Sequence, residues 1–267
     1  MRHWATTSNH LPSAWAWLGA ALGLLLALAF FAPAAWLASA VGQASGQRVL
    51  LADARGTLWN GSAQLLLTGG QGSQDARALP ERVHWKMHPL LRPTWLGLHV
   101  QLNATCCTPV PLKLQLRQHL GGTQIMLADQ ASVWPAALLA GLGTPWNTVQ
   151  AEGALALSSQ GLSVEWNEGR LAIAGNAQLQ ANQIASRLST LRPMGSYRIS
   201  LAGGTPSTLQ LDTLEGSLQL SGQGSWVGSR LRFTGTASAA PEREAALSNL
   251  LNIIGRRNGA QSIITLG

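Results

Sequence analysis

The chain has 267 residues, enough for one large domain or two small ones with a substantial core. Only 11% of the residues are charged, where about 25% is usual for a soluble domain, and the formal net charge is +7. The basic residues are dispersed, with no run of three, which argues against a nucleic-acid groove and for a basic envelope protein.

First in chain order comes a stretch from His3 to Gln47 without Asp, Glu, Lys or Arg. Within it, "AWAWLGAALGLLLALAFFAPAAWLA" is apolar for about 25 residues, roughly 37 Å as a helix, enough to cross a bilayer with some tilt. Trp15 and Trp17 stand at one end of it and Trp36 at the other, where amphipathic rings favour the headgroup region. Residues 14–38 are therefore predicted to form a transmembrane signal-anchor helix, with 1–13 a cytoplasmic tip and 39–267 a periplasmic β-rich domain. Arg2 on the short side gives the orientation. The "ASA" of Ala38 to Ala40 resembles a signal-peptidase site, but the apolar stretch exceeds the about 7 to 15 residues of an ordinary cleaved signal.

Beyond the anchor the period is two. Leu98, Val100 and Leu102 alternate with His99 and Gln101; Leu112, Leu114 and Leu116 alternate with Lys113 and Gln115; Leu218 and Leu220 flank Gln219. Such alternation predicts antiparallel strands with one face buried and one wet. Asn60-Gly61, Gly69-Gly70, Gly121-Gly122, Gly203-Gly204 and Gly228 supply the turns. In "ARGTLWNGSAQL" (Ala54 to Leu65) the Asn60-Gly61 pair is expected to make a type I′ hairpin turn. The Gly-x-Leu phrase returns in "EGALAL" from Glu152 and "EGSLQL" from Glu215, a scaffold solution used again.

Two short helices interrupt the strands. One covers "WPAALLAGLG", with Pro135 in its first turn. The other is "PEREAALSNLLNIIGRRNG", starting at Pro241, with Leu247, Leu250, Leu251 and Ile254 on one stripe and Gly255 closing it. That stripe is expected to pack on the sheet. The predicted fold is mainly β: a single transmembrane helix, then a large antiparallel sheet with two short helices, shaped as a curved sheet, a sandwich or a half-barrel.

The chain is poor in chemistry. Cys106 and Cys107 are the only cysteines and adjacent, so they form either two thiols or a vicinal disulfide in a loop bounded by Pro109 and Pro111. His84 and His88 lie in a segment read as strand, about 13 Å apart, too far to share a metal. The only lysines, Lys86 and Lys113, belong to no phosphate loop, and no acidic pair stands out as acid and base. The reading is of a protein that is not an enzyme, with no catalytic residues, no metal and no cofactor.

The order of these pieces resembles a known family. The anchor is followed by "GTLWNGSA", then "GLSVEWNEGRLAIAGNAQL" and "LSTLRPMGSYRISL", then "LSGQGSWVGSRLRFTGTASAAPEREAALSNLLNIIGRRNG". This ensemble resembles the type II secretion system protein N family (general secretion pathway protein N), and the likeness covers nearly the whole chain. It implies a single-pass protein of the cell inner membrane in a Gram-negative bacterium, with its C-terminal domain in the periplasm. It also implies an accessory role in export of folded proteins across the outer membrane, with other components of that secretion system as partners. The alternative comes from the sheet itself. An apolar face that curls into an open trough would bind or transfer lipid instead. No nucleic-acid partner is expected.

Overall fold

The computed structural model describes residues 14–267 except 94, 120 and 168. The expected cytoplasmic tip, residues 1–13, lies outside the described residues. Two helices come first, α1 (Ala14–Phe30) and α2 (Ala34–Ala44). Seven strands follow: β1 (Val49–Gly56), β2 (Asn60–Thr68), β3 (Ala76–Arg92), β4 (Trp95–Ala104), β5 (Leu112–His119), β6 (Gly122–Leu127) and β7 (Gln130–Pro135). A 3-10 helix (Ala136–Leu142) and the one-turn α3 (Trp146–Val149) lead into β8 (Glu152–Asn167), β9 (Arg170–Ala185) and β10 (Gly195–Ala202). The chain continues through β11 (Thr208–Gly216), β12 (Leu218–Val227) and β13 (Arg230–Ala239) to α4 (Glu244–Ile254), and ends with β14 (Arg256–Asn258) and β15 (Gln261–Leu266).

All strands belong to one 15-stranded sheet in the order β1-β2-β3-β4-β5-β6-β8-β9-β10-β11-β12-β13-β15-β14. Every pairing is antiparallel and nearly every connection is a hairpin, as period-two segments with short glycine turns require. β7 continues where β6 stops, pairing with Ala154–Ser159 of β8 while β6 pairs with Ser163–Trp166. The sheet is not closed, because β1 and β14 end it without meeting. The β14 edge is short and carries exposed Arg256 and Arg257, which discourages strand addition. The β1 edge is covered by α2. Pro33 bridges Thr57, Leu58 N–H donates to the Ala32 carbonyl at 2.7 Å, and Val49 N–H donates to Ser45 Oγ at 3.1 Å.

The continuous helix expected over 14–38 is corrected to two, broken between Phe30 and Ala34. Pro33 has no N–H to continue the ladder and sits at the N-cap of α2 with ψ of 147°. Trp36 consequently rides on α2, on the β domain, and not at the far end of the helix that carries Trp15 and Trp17. Among the described residues no helix is long and apolar enough to cross a membrane. α1 is 17 residues long, and its described side chains are exposed around the whole circumference.

The hairpin after β1 also turns earlier than expected. The reversal is made by Thr57–Trp59, with Gly56 opposite Gly61 and Thr57 N–H donating to the Asn60 carbonyl at 2.9 Å. Asn60-Gly61 is therefore strand, and packing is the reason. A Cβ on Gly61 would stand 2.5 Å from the Trp85 ring, whose indole N–H donates to the Leu58 carbonyl at 3.0 Å. The glycine makes room for a tryptophan, which the turn rule does not register.

The core gathers at one end of the strands, in two adjoining clusters. Leu247, Leu250 and Leu251 of α4 pack with Tyr197, Leu218, Ala237 and Met194, joined by Ala136, Val149 and Ala151 of the connector between β7 and β8. Leu138 of the same connector enters a second cluster with Leu79, Val83, Ala104 and Cys107. The connector thus touches β3 on one side and β8 on the other, and together with α4 it plugs that end. Ser262, fully buried on β15, donates to the Leu251 carbonyl at 2.6 Å and fixes the C-terminal turn of α4. A third cluster forms where Ala34 and Leu37 of α2 meet Ala63, Trp85, Met87 and Val100.

Candidate functional site

The strongest feature of the sheet is one apolar face carried by register across it. Pro89, Leu98, Leu116, Ile125, Val164 and Ile173 stand opposite one another on six successive strands from β3 to β9. Further along, Leu157, Leu179, Ile199 and Leu211 continue it from β8 to β11, followed by Gly222, Gly235 and Ile264. The opposite face is polar, as the row Gln178, Ser200, Gln210, Gln223, Thr234 shows.

Away from the plug this apolar face is only partly covered. Leu179, Ile199, Leu201, Leu209 and Leu211 are half-buried, and Ile125 is 43% exposed in the middle of the sheet. On β12 and β13 the floor is filled locally by Phe233, whose ring takes the space a side chain at Gly222 would need, 2.4 Å from the position of its Cβ. Beside it, a groove of about 800 Å³ runs between Leu171, Ile173, Gly203, Pro206 and Trp226. The sequence marked the alternation that produces this face. Which part of it stays open depends on where α4 and the connector land.

The end of the strands opposite the plug is built differently. Its connections are short hairpin tips, and large apolar side chains project from them: Leu91 is 76% exposed, Leu96 59%, Trp166 50% and Val227 53%. α1 leaves from this end. The indole N–H of Trp59, in the β1–β2 tip, donates to the Ala29 carbonyl at 2.7 Å, and Phe30 lies with Lys86, Met87, His88 and Pro89 around a hollow of about 440 Å³. Leu91 and Leu96 stand opposite each other in line with the apolar face, and they are exposed because β3 and β4 run past β2.

At the plug end, the sulfur atoms of Cys106 and Cys107 lie 2.19 Å apart. The loop is held firmly. Thr108 Oγ1 accepts from Ala104 N–H at 2.8 Å, and the Cys107 carbonyl accepts from Val133 N–H at 2.8 Å. Cys107 is buried and Cys106 exposed. The loop therefore joins β4 to β7 as part of the scaffold. His84 and His88 lie on β3 as predicted, with His88 opposite His99. Among the described residues no group of three metal-ligating side chains occurs.

Electrostatics mark structural positions. Hydrogen bonds from Arg55 and then Arg82 hold the Asp53 carboxyl below its usual range. Asp53 sits at the β1 bulge with φ of +48°, and Arg82 reaches it from β3 at 2.8 Å, so the exposed pair staples the irregular edge. Burial pushes the Tyr197 hydroxyl up, and that oxygen has no hydrogen-bond partner.

The repeated Gly-x-Leu phrase also finds its place. Gly153 and Gly216 follow Glu152 and Glu215 at the plug end with φ of +126° and +122°; Gly153 lies in a register shift between β8 and β9, while Gly216 pairs with Gly195 at the end of β11. A Cβ on Gly216 would approach Gly195 Cα to 2.2 Å. The turn at Gly216 and Ser217 leads directly into Leu218, whose N–H donates to the Met194 carbonyl at 3.1 Å and whose side chain enters the plug core.

No curated protein and no solved structure matches the chain. One family does, that described as type II secretion system (T2SS), protein N, over residues 47–264. The match begins just before β1 and ends within β15, so it spans the sheet, the connector and α4. It carries a type II secretion accessory role and association with other components of that system; the family is not a known enzyme family. With well over half of its length matched, the chain belongs to the type II secretion system protein N family.

Proposed function

We propose that this protein is an accessory inner-membrane component of the type II secretion system, supporting export of folded proteins across the outer membrane. The family match over 47–264 carries the reading. α1 is its tether in the membrane, and the sheet domain works on the periplasmic side with other secretion components. The tether is supported by the all-round apolar surface of α1, which among the described residues is exposed throughout and meets the β domain at Ala29 and Phe30. Crosslinking in intact envelopes, with proteins and lipids captured on the full-length chain identified by mass spectrometry, tests this. Recovery of other secretion components is the expected result; recovery of none would remove the accessory reading.

A second reading has its own observation. The apolar face of the unclosed sheet is half-exposed over Leu179, Ile199, Leu201 and Leu209, and an open apolar surface of this kind holds ligands in other proteins. In this reading the sheet takes up acyl chains. The same capture distinguishes the two, because stoichiometric phospholipid with no secretion component would favour lipid handling.

A further inference from the structure

We infer that the α1 end of the sheet is a membrane-docking rim, which rests an anionic lipid surface against the hairpin tips. The inference rests on the tether reading above and adds to it the orientation of the domain. Register places the tips together. Leu91 pairs with Leu96, Thr123 with Trp166, and Val227 with Arg230, while Trp226 N–H donates to the Ser207 carbonyl at 3.0 Å. The β1–β2 tip in the same group is the one bound to α1 through Trp59.

Composition at this end fits a bilayer interface. Leu91, Leu96, Trp166 and Val227 are all at least half exposed although nothing polar requires it, and the indole of tryptophan suits headgroup depth. Arg92, Arg170 and Arg230, one in each of three tips, are exposed beside them, and none is in an ion pair among the described residues. The carboxylates in or next to these tip sequences are Glu165, 3.7 Å from His119 Nε2, and Glu168. The plug end mixes both signs, with Glu152, Glu215 and Glu244 in or beside its loops among exposed Arg187, Arg192 and Arg243. What sets the α1 end apart is that exposed arginines stand beside exposed leucine and tryptophan at the end from which α1 leaves, which gives the domain a defined side to turn to an anionic surface.

The test uses the full-length chain in vesicles of phosphatidylethanolamine and phosphatidylglycerol, with p-benzoylphenylalanine in place of either Ser229, at the β12–β13 tip, or Gln71, in a plug-end loop. The expected result is a phospholipid adduct from position 229 and none from position 71. Reversing Arg92, Arg170 and Arg230 to Glu should abolish the adduct, since each arginine near the surface contributes roughly fivefold to affinity. The same three positions as Lys should keep it, which separates charge from folding. A chain that sediments with vesicles but gives no adduct at 229, or equal adducts at 229 and 71, overturns the rim while leaving the tether intact. A protein adduct at 229 in place of lipid would assign the rim to a second copy or another partner and overturn it as well. A chain that does not sediment with vesicles removes the tether reading, and the rim with it.

Discussion

The two ends of this sheet are made from the same strands, yet one holds a core and the other shows its leucines to the surroundings. At the plug end Leu247, Leu250 and Leu251 are at most 1% exposed, whereas Leu91 and Leu96 at the α1 end are mostly exposed. The difference lies in the connections. Two long crossings, from β7 to β8 and from β13 to β15, run over the plug end and carry Ala136, Leu138 and the α4 stripe into it. The strand-to-strand connections at the other end are short tips, which reverse the chain but cannot cover a face. Apolar residues become core only where the chain has enough length to cross over them.

Substitutions at matched apolar positions should expose this difference. Leu250→Ala removes a fully buried side chain from the plug and should destabilise the domain by about 3 kcal/mol in a denaturant titration. A loss below about 1 kcal/mol would mean that α4 is not integral to the core. Next in size, Gly61→Ala should cost about 2 kcal/mol, because its Cβ meets both the Trp85 ring and the Arg55 and Thr57 carbonyls within 3 Å. An unchanged melting curve would mean that the Trp85 ring does not need the space at Gly61.

Tyr197→Phe should act in the opposite direction. The hydroxyl is buried without a partner, so deleting it should stabilise the plug by about 1 kcal/mol. It should also change the response to alkali. Burial raises the folded-state pKa above that of the unfolded chain, so tyrosine ionises first in the unfolded chain above about pH 10, and stability falls as pH rises from there. Tyr197 is the only tyrosine, so its ionisation can be followed directly by absorbance, and the phenylalanine variant should lose that part of the alkaline slope. Smallest of all, Leu96→Ala at the rim should change stability by less than about 0.5 kcal/mol. A loss as large as that of Leu250→Ala would mean the α1 end is packed as tightly as the plug.

Much of the fold was legible before any coordinates. Alternation at 98–102, 112–116 and 218–220 marked strands whose apolar side does face inward, and the Leu247, Leu250, Leu251 stripe marked a helix that does pack on the sheet. The 14–38 helix was drawn too long because hydropathy sees no difference between Phe31 and Ala34, while the backbone breaks at Pro33 and gives α2 to the β1 edge. The Asn60-Gly61 turn was misplaced because local turn chemistry lost to the room needed by Trp85, 24 residues further along. The exposed tips carried no signal of their own. Leu91 and Leu96 read like any other strand leucines.

By itself the sequence determined the class of fold, the antiparallel pairing and the sparse chemistry, since these follow from local period and composition, and its motifs carried the resemblance to a secretion family. Only tertiary structure decided that the sheet stays open, that α4 and the β7–β8 connector seal one end, and that the apolar tips gather beside α1. Those outcomes depend on contacts between residues far apart in the chain, such as Leu138 with Leu79 or Leu251 with Ser262. Burial there follows from which long connection crosses which end, and no local pattern encodes that.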